Sequence, residues 1–187
     1  MSSLIPTTHE LTSARFRLKI PDRESIPFTF SATRFAGFNE GMPWEAPANL
    51  DEMEAPFQHT LEAWKQGKGY SFMIEDRSTQ ELRGRISIRK TDRTSVWNIG
   101  FWTHPAHQGK GIMTEAVARI LEFGFQELNA SRIEAAHATW NQASRKVLTN
   151  NGFQFNHHLE RGFLKRGEWV AEDMLAIDCG DWTSMKK

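Results

Sequence analysis

Two glycines, Gly109 and Gly111, frame a short loop between an apolar stretch and an amphipathic one. A glycine loop that opens onto a helix presents several free backbone N–H groups together with the positive end of the helix dipole. This combination is suited to binding a phosphate or pyrophosphate group. The predicted phosphate-binding residues are Gln108, Gly109, Lys110, Gly111, Ile112, Met113 and Thr114, with Lys110 as an additional positive charge.

The spacing around this loop excludes two common phosphate-binding motifs. In a nucleotide-hydrolase loop the second glycine is followed by Lys and a hydroxyl residue, whereas Gly111 is followed by Ile112. A dinucleotide-binding fingerprint has a third glycine at the position of Thr114. A pyrophosphate loop of another type remains, and the alternative is a tight turn that binds nothing.

The loop resembles the signature of the GCN5-related N-acetyltransferases (GNAT), which is Gln or Arg, two residues, Gly, one residue, and Gly or Ala. Gln108 and Gly111 match it, and Met113 departs from its small last residue. The resemblance extends from about residue 16 to 177. Within the family, the chain is similar to the branch of enzymes that acetylate the N-terminal alanine or serine of ribosomal proteins. Three short segments support this branch: Trp44-Glu45-Ala46-Pro47, Gly69-Tyr70 and Gly167-Glu168-Trp169. The resemblance implies acetyl-CoA as co-substrate.

The resemblance also implies residues that would bind the rest of the cofactor. Backbone N–H groups along Phe101, Trp102 and Thr103 would polarise the thioester carbonyl, as preorganised donors do in other acyl transfers. Asn141 would contact the pantetheine arm, and Ser144 would protonate the leaving thiolate. The alternative roles are structural, since an Asn three residues before a Ser is also a typical helix cap.

The residue that would act as general base is not evident from this pattern. Many relatives carry a Glu two residues before the glycine of the strand, and Asn98 stands there in this chain. An amide side chain does not accept a proton near neutral pH. Water, or one of four titratable side chains, would have to serve instead; these are His137, the first candidate, and His104, Glu40 and Glu45.

The acceptor is predicted to bind in an aromatic region before residue 65. Its rings, which could equally be core residues, are Phe28, Phe30, Phe35, Phe38, Trp44, Phe57 and Trp64. Trp44 and Glu45 are the substrate-binding candidates. The preferred acceptor is the α-amino group of a ribosomal or other protein, and the alternatives are a small amine (a polyamine, amino sugar or aminoacyl compound) or a non-catalytic acyl-CoA-binding domain.

Hydrophobic periodicity predicts the elements that position these residues. Helices are expected at 50–65, 113–128 and 141–150, and strands at 14–20, 70–75, 82–90, 95–102, 132–139, 153–159 and 172–178, with a hairpin at 165–169 and poor regularity at 21–49. The predicted class is α/β, with a mixed α+β sheet that is mostly antiparallel and carries helices on its faces. The resemblance implies that the parallel strands near Phe101 and Glu134 splay apart.

Composition sets the remaining expectations. The 187 residues predict one domain (1–187, core about 14–178), and the equal numbers of basic and acidic residues, 23 each, argue against direct nucleic-acid binding. A single cysteine, Cys179, and the lack of a long apolar run favour a cytoplasmic protein without membrane contact, either monomer or homodimer. No metal site is expected, because His157 and His158 are adjacent on a strand and point to opposite faces.

Overall fold

The computed structural model describes residues 4–185 and contains one eight-stranded mixed sheet in the order β1-β2-β3-β4-β5-β6-β8-β7. The strands are β1 (Leu11–Thr12), β2 (Phe16–Lys19), β3 (Gly69–Asp76), β4 (Leu82–Lys90), β5 (Val96–Thr103), β6 (Arg132–Ala138), β7 (Gln154–Lys165) and β8 (Glu168–Asp178). The helices are α1 (Ser25–Ala32), α2 (Glu54–Lys65), α3 (Ile112–Gln126), α4 (Gln142–Asn150) and α5 (Cys179–Met185). All strand pairs are antiparallel except β5 and β6, which confirms the predicted fold class.

Helix α3 covers one face of the sheet with the apolar stripe seen in the sequence. Ile120 and Phe123 are fully buried, and Phe123 meets the rings of Tyr70 and Phe72 on β3 edge to face. Ile133 of β6 lies directly against α3 at Gly124, where a Cβ would come within 2.6 Å of its Cδ1. This is the α3 face of the sheet, and it holds the main core.

Helices α1 and α2 cover the opposite face, called here the α1 face. Helix α1 was not predicted, because its buried side chains, Ser25, Thr29 and Ala32, are small or polar and form no apolar stripe. Pro27 is tolerated because it lies in the first turn, where its missing N–H would have no partner in the helix. The prediction of irregular structure at 21–49 is therefore wrong for this segment.

The C-terminal hairpin is longer than predicted. Strands β7 and β8 continue to the turn at Arg166 and Gly167, whereas the sequence indicated strands only at 153–159 and 172–178. Most of β7 is an exposed edge strand with two irregularities, so it lacks the alternation of buried and exposed side chains that marks a strand in a sequence. Within residues 4–185 no helix is both long and apolar enough to cross a bilayer.

Candidate active site

The loop before α3 presents an unbroken run of free backbone donors. Over the described chain, none of the N–H groups from Gly109 to Thr114 has a backbone or side-chain acceptor, and the first helical bond of this turn is Glu115 N–H to Gly111 O, at 3.2 Å. Gly109 and Gly111 have φ of +77° and +69°, in the left-handed region that glycine adopts without strain. This geometry turns successive N–H groups towards one side, as in other anion-binding loops.

A cluster of polar contacts that the sequence did not reveal holds this loop from behind. Arg15 donates to Lys110 O at 3.1 Å and, through Nε, to Glu115 at 2.6 Å, while the Ser13 hydroxyl donates to the same carboxylate at 2.7 Å. Burial alone would raise the pKa of Glu115, but the hydrogen bonds from Arg15 and Ser13 outweigh it and lower the pKa. The loop is therefore preorganised by a charged carboxylate in the first turn of α3.

A gap opens between β5 and β6 beside this loop. The two strands pair only from Val96–Arg132 to Asn98–Glu134, although β5 continues to Thr103 and β6 to Ala138. The predicted splay is therefore present.

Strand alternation decides which backbone groups of β5 face the gap. His104 N–H donates to Arg83 O, next to β4. Because backbone groups alternate in direction along a strand, the N–H and C=O of Trp102, two residues earlier, also point to β4. The groups of Phe101 and Thr103 point the other way, into the gap, where no strand pairs with them. A ligand arm in the gap could bond to them as an extra strand would.

Helix α4 starts at the far side of the gap. Asn141 caps it, since its Oδ1 accepts the Ser144 N–H at 3.1 Å. The Ser144 hydroxyl has no hydrogen-bond partner within residues 4–185 and is half-buried. The capping role of Asn141 is thus observed, and the Ser144 hydroxyl is free to bind a ligand.

An aromatic cluster covers the end of β5 on the α1 face. The ring centroid of Trp102 lies 6.0 Å from that of Phe28 and 5.4 Å from that of Phe38. The Phe38 centroid lies 6.2 Å from that of Trp44, which is 37% exposed. Of the other rings in the predicted aromatic region, Trp64 belongs to the core: it is fully buried and donates to Ile5 O at 2.9 Å. The aromatic residues therefore divide between the core and the surface beside the gap.

A buried lysine fixes the segment that carries Trp44. Lys165, only 6% exposed, donates to Met42 O at 3.1 Å and to Trp44 O at 2.8 Å, and pairs with Glu45 at 3.2 Å. A cavity of about 280 Å³ lies between Glu40, Trp140 and the β7–β8 hairpin. It is lined by Glu40, Trp140, Lys165, Arg166, Glu168, Trp169 and Val170.

Three of the four candidate bases are engaged in contacts of the fold. Glu40 and Glu45 both pair with Arg166, at 2.9 and 3.6 Å. His104 accepts the Ala106 N–H through Nδ1 at 3.2 Å and lies 3.1 Å from the Ser31 hydroxyl through Nε2, and burial lowers its pKa. Both ring nitrogens of His104 are therefore engaged, whereas each of the two glutamates is bound through one carboxylate oxygen.

His137, the fourth candidate, has a free nitrogen. Its Nδ1 lies 2.8 Å from Ala138 O, and because a carbonyl only accepts, Nδ1 is the donor in this hydrogen bond. Nε2 is buried without a partner in the described chain. Strand alternation, however, places His137 on the α3 face with Ile133, whereas Trp102 and the aromatic cluster lie on the α1 face.

Glu134 is a carboxylate near the gap that was not singled out from the sequence. It is paired in register with Asn98, so its side chain lies next to that of Asn98 on the same face of the sheet. Arg93 and Arg132 both bind it, the latter at 3.0 Å, so it is not a free base. Only the parallel register reveals this position. Within residues 4–185, no three His, Cys, Asp or Glu side chains form a group that could hold a metal ion.

Comparisons with known proteins agree with this geometry. The model of the acetyltransferase (GNAT) domain family matches residues 15–154. A Bacillus subtilis protein named "Probable N-acetyltransferase YjcK" is 34% identical over 123 residues, which are 65% of this chain and 66% of that protein. The [Ribosomal protein uS5]-alanine N-acetyltransferase of Escherichia coli is 27% identical over 64% of this chain and 62% of its own. The solved spermidine N-acetyltransferase of Vibrio cholerae, in complex with CoA and spermine, has a TM-score of 0.79 at 19% identity and covers 91% of this chain and 99% of its own.

Proposed function

Because the chain belongs to the acetyltransferase (GNAT) domain family, we propose that it transfers an acetyl group from acetyl-CoA to a primary amine. The preferred acceptor is the N-terminal α-amino group of a protein, a ribosomal protein in the first instance. The single observation that carries the proposal is the run of free N–H groups from Gly109 to Thr114 beside an open gap in the sheet. A pyrophosphate at the loop and an extended arm in the gap would use both.

The chain's own residues then have defined roles. The co-substrate supplies an acetyl thioester, and the backbone N–H groups of Phe101 and Thr103 are the donors available to its arm and carbonyl in the gap. The acceptor nitrogen forms the new bond to the carbonyl carbon and the carbon–sulfur bond breaks. The amine gives up a proton to water or a base, and the Ser144 hydroxyl donates a proton to the sulfur and regains one from water, so that protons balance.

A protein terminus is preferred over a small amine because of the shape of the acceptor side. The cavity between Glu40, Trp140 and the β7–β8 hairpin is lined by two further exposed rings, Trp140 and Trp169. Its volume of about 280 Å³ is near the lower end for ligand pockets, so it could take a few residues of an extended chain. The Escherichia coli relative is named as a ribosomal-protein enzyme, and the spermine-bound Vibrio cholerae structure keeps a polyamine as the second candidate.

The direct test is release of CoA thiol with a panel of acceptors. N-terminal peptides of ribosomal proteins and a set of small amines, spermidine among them, would be compared at equal concentrations by kcat/KM. Faster turnover of at least one peptide than of every small amine supports the proposal. Faster turnover of a small amine would move the acceptor to the second candidate. Binding of acetyl-CoA without thiol release for any acceptor would favour the non-catalytic alternative.

Trp44→Ala is expected to raise the KM for the acceptor about tenfold and to change the KM for acetyl-CoA by less than about twofold. The ring is partly exposed beside Phe38, and the Lys165 clamp uses the Trp44 backbone carbonyl, which the substitution keeps. Steady-state kinetics with both substrates varied is the measurement. Phe155→Ala, which removes an exposed ring elsewhere, is the matched control. Equal rises in both KM values would indicate general damage and not loss of an acceptor contact.

The pH dependence of kcat/KM is expected to rise towards the pKa of the acceptor amine without an ionisation from the protein. Asn98 offers no base, and His137 faces away from the aromatic cluster. His137→Ala should therefore give the wild-type profile, measured on folded protein, as should the control His158→Ala. An inflection at about pH 6.5, where histidine commonly titrates, that is lost only in His137→Ala would instead identify His137 as the base.

A further inference from the structure

Two arginines on β4 carry positive charge on the α1 face without a carboxylate partner. Arg85 donates through one nitrogen to the Thr60 and Ser71 hydroxyls, at 2.8 and 3.1 Å. Neither Arg85 nor Arg89 forms an ion pair with any of the residues 4–185. Burial lowers the pKa of Arg85 to about 10, with a further contribution from the charge of Arg89, and burial also lowers the pKa of Arg89. A guanidinium that is partly desolvated and repelled by another one gains free energy when an anion binds.

The position of Arg89 connects this charge to the reaction. Arg89 is paired in register with Asn98, the residue in the place of the usual base. Its guanidinium leans towards the gap, because Nη2 lies only 3.2 Å from where a Cβ on Gly100 would be. Asn98 and Gly100 are on β5, immediately beside the point where β5 and β6 separate. An amine that reaches the gap from the α1 face therefore passes close to Arg89.

The surrounding charges leave the positive charge of Arg89 uncompensated. Glu134, the carboxylate next to Asn98, is already bound by Arg93 and Arg132. A polyamine placed here would bring its further ammonium groups towards two guanidinium groups that have no carboxylate partner, which costs binding free energy. A carboxylate would accept charge-assisted hydrogen bonds from the same groups.

We propose that Arg89, with Arg85 behind it, binds a carboxylate of the acceptor, so that the preferred protein N-termini carry Asp or Glu within their first residues. This inference rests on the proposed function and names its substrate class. Arg89 is a specificity residue, because it selects the acceptor and takes no part in breaking or forming bonds.

The test compares synthetic peptides that differ only at the second residue, with Asp, Glu, Gln or Lys after an N-terminal Ser. The wild-type protein should show kcat/KM at least about tenfold higher for Asp or Glu than for Gln, and the lowest value for Lys, as expected for a charge-assisted contact. Arg89→Gln should abolish the preference, and Arg89→Glu should reverse it in favour of Lys. The KM for acetyl-CoA should change by less than about twofold in both variants.

Lys90→Gln is the matched control, since it removes one positive charge from the neighbouring residue of β4. Lys90 lies over the ring of Trp97, whose neighbours include Tyr70 of the core, and so faces away from Asn98. This variant should keep the wild-type preference. Equal kcat/KM for the Asp, Gln and Lys peptides, or an unchanged preference in Arg89→Gln, would overturn the inference.

Failure of the proposed function gives a different pattern. If only small amines are acetylated, the same comparison uses γ-aminobutyrate against putrescine, which share a four-carbon chain and differ in the distal charge. A preference for γ-aminobutyrate that Arg89→Gln removes keeps the anion site, and a preference for putrescine contradicts it. Calorimetric binding of the four peptides to the CoA-loaded protein measures the same charge preference where no acceptor turns over, and equal affinities there would also contradict the site.

Discussion

Replacing Gly111 with glutamate is expected to lower the affinity for acetyl-CoA by at least about 100-fold while the protein remains folded. The new carboxylate would stand at the start of α3, among the free N–H groups from Gly109 to Thr114. Two like charges about 5 Å apart repel by roughly 3 kcal/mol at an effective dielectric constant near 20, which corresponds to about 100-fold in binding. Isothermal calorimetry with acetyl-CoA on the folded variant is the measurement.

Gly111→Asn is the matched control for the backbone at this position. Gly111 has φ of +69°, a conformation that costs most residues about 1–2 kcal/mol and that Asn tolerates better than most. A Cβ there meets only Arg15 Nη2, at 3.6 Å, so the Cβ of neither variant clashes. The Asn variant should keep affinity within about tenfold of wild type. Equal losses in both variants would point to the backbone, and unchanged affinity in Gly111→Glu would show that the pyrophosphate does not bind here.

The central part of the fold could be predicted because each element buries one clear face. Helix α3 is confirmed within two residues of the prediction, and β3, β4 and β5 are confirmed as consecutive antiparallel strands. Membership of the acetyltransferase family follows from the same region and is confirmed by the family match to residues 15–154. These segments alternate or repeat apolar residues at the period of their secondary structure, which is the signal that a single sequence carries best.

The elements that were missed owe their structure to tertiary contacts. Helix α1 buries small polar residues under the sheet, and β7 is exposed along most of its length. Helix α5 is held by Trp182, which packs 5.0 Å from Phe125 of α3. Neither a polar buried face nor an exposed edge strand leaves a hydrophobic period in the sequence.

The candidate site likewise contains features that could be predicted from the sequence and features that could not. The glycine loop and the Asn141 cap could be predicted, because both depend on residues close together in the chain. The clamp by Lys165 and the support by Arg15 join segments far apart in sequence, and the pairing of Arg89 with Asn98 depends on the register of β4 with β5. Charged residues of this kind look like ordinary surface positions until the strand order is known. The residues proposed for catalysis therefore stay predictions that kinetics must test.

Ser144→Ala is expected to lower kcat by about 10²- to 10⁴-fold, the usual contribution of a positioned acid or base, while acetyl-CoA still binds. The hydroxyl is half-buried at the start of α4 and has no partner in the described chain, so it is available to the departing sulfur. The substitution leaves the helix cap in place, because Asn141 bonds to the Ser144 backbone N–H and not to the hydroxyl. Loss of stability should therefore be small, and the rate should report the proton transfer alone.

Single-turnover kinetics, which exclude product release, are the measurement, with calorimetry of acetyl-CoA binding alongside. Thr149→Val removes a hydroxyl from the last turn of the same helix, where it donates to Lys146 O, and should leave kcat unchanged. Asn141→Ala removes the cap and should cost about 1 kcal/mol of stability, which separates loss of the helix start from loss of the acid. A kcat for Ser144→Ala within about twofold of wild type would mean that the thiolate leaves without help from this side chain, and Ser144 would then serve only as a first-turn residue of α4.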